Sequence, residues 1–212
     1  MKDKEKILDE LKNRGIEYLV HFTNLNNLES IVTHELLTRE CLNRLNIDYD
    51  YNDEERIDGI ENSISTSITS PNYKMFYPLR LENPSSDWVI LFINAEKALK
   101  LECAFCKTNA ANNNVRFISV DDRKTYDAFK GMFSEIPFFY TREQMELADF
   151  ETTDPQAEVL LLENIPVNYI DFVIFKDYNT YRKYKSICDN IDIICGNDMG
   201  YYYARHDYKY WQ

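Results

Sequence analysis

In "TTDPQAEVLLL" (residues 152–162) a carboxylate stands directly ahead of an apolar run. Val159, Leu160, Leu161 and Leu162 have no polar alternation, the pattern of a short strand covered on both faces. Asp154-Pro155 marks a turn before it. Burying an unpaired carboxylate is costly. Glu158 is therefore either a solvated strand end or a group that the fold aims into a cleft.

Outward from this strand, other segments read as sheet and helix in mixed order. "DWVILFI" (87–93) is a second buried strand, and "EYLVHF" (17–22) and "SISTSI" (63–68) are two more. Further strands are expected near 169–175 and 191–195, and the aromatic tail "YYYARHDYKYW" (201–211) is expected to pair as a last one. Helices are expected over 3–14, ended by Gly15, and near 122–132 and 178–187. Asn24 is placed to cap another, with Leu25, Leu28, Ile31 and Val32 as its apolar stripe. The acidic stretch 43–61 and the Asn-rich stretch 100–118 lack periodicity. Strict βαβ alternation is absent, so the expected class is α+β. The 212 residues suit a single domain spanning 1–212.

Composition excludes several classes. No apolar run approaches the roughly 18 to 20 residues that span a bilayer. The charged amino terminus has no signal-peptide core, so a cytoplasmic location is expected. Five cysteines in such a chain are expected as reduced thiols. Cys103 and Cys106 have metal-ligand spacing but no second pair, so they read as small buried residues and no metal site is expected. A net charge of −12 argues against a surface that grips nucleic acid throughout, though not against a local groove. Only five glycines are present, and neither a P-loop nor G-x-G-x-x-G can be written from them. Of three histidines, His21 is singled out because it sits where a strand hands over to a helix.

Six segments, in order, resemble the DarT family of DNA ADP-ribosyltransferase toxins: "YLVHFTNLNNLESIVTHELLTRE" (18–40), "RIDG" (56–59), "SISTSITSPNYKMFY" (63–77), "DWVILFI" (87–93), "CAFCKTNAA" (103–111) and "DPQAEVLLLENIP" (154–166). The resemblance implies a single-domain ADP-ribosyltransferase fold with flanking helices and a split, mixed or antiparallel β-core. NAD would lie bent in the cleft. Glu158 and Arg56 would be catalytic. His21 and Thr23 match the family's H-x-T, with Asn27 and Leu28 as cofactor wall. Tyr73 and Met75 join them as cofactor-binding residues. The acceptor would be a base in single-stranded DNA, guanine rather than thymine judging from "SPNYKMFY" and "CAFCKTNAA". Arg116, Arg123 and Lys124 are expected to meet its phosphates and Phe138 and Tyr140 its bases. The implied partner is a cognate antitoxin, an ADP-ribosyl glycohydrolase such as a macrodomain protein. H-x-T also resembles RNA 2′-phosphotransferases, which lack the "PQAEVLL" glutamate. Transfer to RNA or protein, or an inactive binding module on the same fold, are the remaining alternatives.

Overall fold

Apart from the tail, the runs expected as strands do pair, and the register of "DWVILFI" explains why it lacks polar alternation. The computed structural model describes residues 2–50, 60, 62–82, 84–189, 194–197 and 199–212. The strands are β1 (Tyr18–Asn24), β2 (Ile64–Ile68), β3 (Trp88–Asn94), β4 (Cys103–Cys106), β5 (Glu158–Leu161), β6 (Ile170–Phe175) and β7 (Ile194–Asn197). Among the described residues they form one seven-stranded sheet in the order β4-β5-β2-β1-β3-β6-β7. Every neighbouring pair is antiparallel except β6 and β7, which are parallel.

Helices cover the sheet on both sides: α1 (Lys2–Arg14), α2 (Leu28–His34), α3 (Arg39–Leu45), α4 (Tyr73–Glu82), α5 (Ala95–Ala98), α6 (Asn113–Arg116), α7 (Val120–Arg123), α8 (Tyr126–Gly131) and α9 (Tyr178–Tyr184). Along β3, Val89, Leu91 and Ile93 enter one core with Ile7 and Leu11 of α1, Leu28 and Ile31 of α2 and Phe129 of α8. Ile90 and Phe92 enter the opposite core with Phe76 of α4, Trp88 and Tyr202. A strand with apolar groups on both faces is what this arrangement requires. Gly15 ends α1 at φ +69°, a conformation that side chains with a Cβ adopt at a cost.

Several local expectations are corrected. The stretch 100–118 holds β4, whose four residues are buried against β5. The helix expected over 122–132 is broken into α7 and α8, because Thr125 caps a new helix by accepting a bond from the Ala128 N–H at 3.2 Å. Residues 73–82 form α4, capped by Asn72, whose Oδ1 accepts from the Met75 N–H at 3.2 Å. The tail does not pair as a strand; it runs in turns and a 3₁₀ turn at Tyr208–Tyr210. Among the described residues, no helix is long and apolar enough to cross a membrane. None of the five cysteines is joined in a disulfide, and burial pushes the Cys103 thiol up to about 12.

β3 is sandwiched between β1 and β6, and its Leu91 is 0% exposed. Leu91→Ala should cost about 2–5 kcal/mol in urea unfolding. Phe117→Ala, at a side chain 78% exposed, should stay within about 0.5 kcal/mol of the parent.

Candidate active site

The sheet opens beside His21. β1 and β2 pair only through Leu19 with Ile68 and Val20 with Ser67. β1 then follows β3 along its whole length, while β2 turns to β5 over Ile64–Thr66. Across the gap His21 Nδ1 lies 2.8 Å from the Ser65 carbonyl oxygen. A carbonyl only accepts, so Nδ1 carries the hydrogen and donates it. The parted strands leave a cleft of about 220 Å³.

Its walls collect side chains from distant parts of the chain. β1 supplies His21, Phe22 and Thr23, β2 supplies Ser65 and Ser67, and α4 with its cap supplies Asn72 and Met75. Asn27 donates to the Thr23 hydroxyl at 2.8 Å. It also exchanges bonds of 2.8 Å with the backbone of Asp50, fixing the loop that follows α3 along one side. Arg39 of α3 is the single lysine or arginine among the described residues lining the cleft.

Glu158 answers the choice left open by its sequence. It is the first residue of β5, 6% exposed, and lines the cleft rather than facing bulk water. Its Oε2 accepts a 2.9 Å bond from the Ala110 amide, and Oε1 accepts one of 3.4 Å from Asn109 Nδ2. These donors come from the loop after β4, whose Cys106 pairs with Glu158 across the sheet. Ahead of it, Asp154 makes the turn by accepting from the Gln156 amide at 2.8 Å. Burial pushes the Asp154 carboxyl above the usual aspartate range. A carboxylate, an imidazole, several hydroxyls and one guanidinium around one cleft suit a ligand rich in hydroxyls and anionic oxygens.

The structure thus brings together His21, Thr23, Asn27, Met75 and Glu158. Leu28 does not join them; it is 0% exposed in the core beneath. Tyr73 is not part of the lining either. Its hydroxyl is buried without a hydrogen-bond partner, and burial, with Asp207 nearby, pushes it up to about 12. Arg56 lies outside the described residues.

On the acceptor side, Arg123 is corrected: it is 3% exposed, with Nη1 3.6 Å from Cys106 Sγ, and is no surface contact for phosphate. Lys124 is spent on Glu102 and Asp121 at 3.4 and 3.5 Å. Arg116 is exposed and lies over the Phe117 ring. Phe138 and Tyr140 are exposed, Phe138 with its backbone at φ +62°. Sequence reasoning missed Arg39, Asn109 and Ala110, none of which carries a local signal of its role. Among the described residues, no group of three His, Cys, Asp or Glu is placed to hold a metal ion.

Comparison with known proteins places the chain in a family and matches its fold. Residues 20–198 match the family described as "ssDNA thymidine ADP-ribosyltransferase, DarT". No curated protein matches the sequence. The fold is similar to that of Thermosipho africanus DarTG in complex with ADP-ribose, with a TM-score of 0.62 at 13% identity. That match covers 90% of this chain and 52% of the other, so this chain spans about half its length. Thermus sp. 2.9 DarT in complex with NAD+ gives 0.55 at 14% identity, covering 88% of this chain and 98% of that one. The same Thermus protein in complex with ADP-ribosylated ssDNA gives 0.51 at 13%, covering 89% and 97%. With 179 consecutive positions from 20 to 198 matched to one family, the chain belongs to the DarT family.

Proposed function

We propose that this chain is an NAD-dependent ADP-ribosyltransferase that attaches ADP-ribose to a base of single-stranded DNA and releases nicotinamide. One observation carries the reading: a buried carboxylate, Glu158, is held by the Ala110 amide on the wall of the cleft that His21 and Thr23 also line. Membership of the DarT family supports it, as do the NAD+ and ADP-ribosylated ssDNA bound by the Thermus protein.

In this reading the dinucleotide lies across His21, Thr23 and Asn27, and Arg39 faces its pyrophosphate, where a planar fork suits two anionic oxygens. The bond between C1′ and the nicotinamide nitrogen breaks, and its electron pair leaves with nicotinamide. Glu158 stabilises the positive charge that develops on the ribose. A base nitrogen forms the new bond to C1′ and gives its proton to Glu158. Arg56 orients Glu158 or binds phosphate. A base paired in a duplex presents no such nitrogen, which accounts for a single-stranded acceptor. Exposed Phe138 and Tyr140 offer stacking surfaces, and exposed Arg116 a phosphate contact.

Guanine is the base we assign, on the strength of "SPNYKMFY" and "CAFCKTNAA"; Met75 and Asn72 of the first line the cleft, as do Asn109, Ala110 and Ala111 of the second. The family description, which names thymidine, favours thymine as the second reading. In the cell the chain acts as a toxin, countered by an antitoxin that removes ADP-ribose.

Glu158→Gln keeps the side chain's shape and should lower transfer by about 10²–10⁴-fold while NAD still binds, measured by oligonucleotide mass shift and calorimetry. Undiminished transfer ends the proposal. Arg39→Ala should raise the KM for NAD by about 10–100-fold, the loss of a charged hydrogen bond. Strands of thymine alone and strands with guanine but no thymine decide the base, since a mass gain on only one names it. RNA and protein acceptors in parallel test the remaining classes.

A further inference from the structure

The family match stops at residue 198, yet the segment beyond it is bonded both to Lys74, next to the cleft residue Met75, and to the loop before β5. Arg205 makes two bonds of 2.7 Å to the carboxylate of Asp207, which is 0% exposed. Two more guanidinium hydrogens go to main-chain carbonyls of the loop before β5: Thr152 at 2.9 Å and Thr153 at 3.4 Å. Beside them His206 Nε2 lies 3.1 Å from Glu151. Asp207 also accepts from Trp211 Nε1 at 2.9 Å, and the Trp211 carbonyl accepts from Lys74 of α4 at 2.9 Å. Lys74 is adjacent to Met75 on the cleft wall.

The same segment supports the exposed aromatic loop. Trp211 packs on Phe139 with ring centroids 4.5 Å apart, and Tyr210 on Tyr140 at 4.7 Å. The Tyr210 hydroxyl donates to the Gln144 carbonyl at 2.7 Å.

We propose that Arg205–Trp211 is a strap across the rim of the cleft that sets the acceptor loop against Glu158, with Arg205 and Asp207 as positioning residues. The proposal rests on the DNA-transferase reading above. A buried ion pair is a poor source of net stability, because desolvating both charges offsets their attraction. Such a pair does fix geometry. Arg205 clamps two consecutive carbonyls, Asp154 turns the chain directly after them, and Glu158 follows four residues later. Displacing this relay moves the acceptor base relative to Glu158. The NAD-lining residues His21, Thr23 and Asn27 belong to β1 and the turn after it, to which none of the strap bonds and ring contacts named above goes.

The test uses the full chain with Asp207→Asn, which removes the charge pair at constant shape, and Trp211→Phe, which removes one donor and keeps a ring. NAD affinity, melting temperature, oligonucleotide transfer, and nicotinamide release without DNA are measured for each. Asp207→Asn should lower transfer at saturating NAD by about tenfold or more. It should also raise the share of nicotinamide released without DNA modification, with NAD affinity unchanged. Trp211→Phe should move the same ratios in the same direction by less. If Asp207→Asn does not fold, the Trp211→Phe ratio decides. Unchanged coupling in a folded variant overturns the strap, and so does a parallel fall of transfer, NAD affinity and melting temperature. A parent protein that binds NAD but never labels DNA overturns the transferase reading, and the strap's acceptor role falls with it.

Discussion

Two ladder pairs, Leu19 with Ile68 and Val20 with Ser67, and a main-chain bond from the Thr69 N–H to the Tyr18 carbonyl join β1 to β2, and the rest of the site follows from that short contact. Had β1 and β2 stayed paired, their backbone groups would have satisfied each other and left no opening. Because they part, the backbone beyond needs other partners, and the His21 ring supplies one by donating to the Ser65 carbonyl. One bond thus spans the gap and sets which nitrogen of the imidazole carries the hydrogen. Ligand space here is a consequence of a ladder that stops early. It needs no glycine loop, in keeping with the glycine poverty of the chain.

The same economy governs Glu158. Its position at the first residue of β5 comes from a turn, its orientation from a loop that follows β4, and its burial from the sheet on both sides. Each of these is a separate element, so removing the carboxylate's donors need not disturb the strand. Charge placed this way costs desolvation that only bonds to neighbouring amides offset. The buried polar run Glu151, Thr152, Thr153 and Asp154 repeats the pattern ahead of it, with Arg142 and Arg205 taking the carbonyls.

Most of the sheet was legible: β3 and β5 are apolar runs without alternation, and β2 alternates with period two. β4 was not, since "CAFC" is short and sits among asparagines that promise irregular backbone. α4 was hidden by Pro78 and by aromatic residues that have no strong preference for helix. His21 and Glu158, which line the cleft, were singled out by junction position, by the apolar run after Glu158 and by family likeness. Arg123 misled because an arginine in a polar segment normally faces water, whereas this one fills space beneath β4. Leu28 misled in the opposite way: its helix borders the cleft, but its own side chain points into the core. The tail's aromatic spacing suggested a strand, yet the Arg205–Asp207 pair is made two residues apart, which bends the backbone into a turn.

Among the described residues, the strand at one margin of the sheet, β4, is four residues long. An open margin of a sheet is a template on which another polypeptide can add itself, and a short margin offers few free peptide groups for that purpose. In β7, Gly196 also leaves no side chain, and a Cβ there would stand 3.1 Å from Ile174 Cδ1. The short β4 margin thus lowers the aggregation hazard of a protein with many apolar strands, while a net charge of −12 adds mutual repulsion between copies.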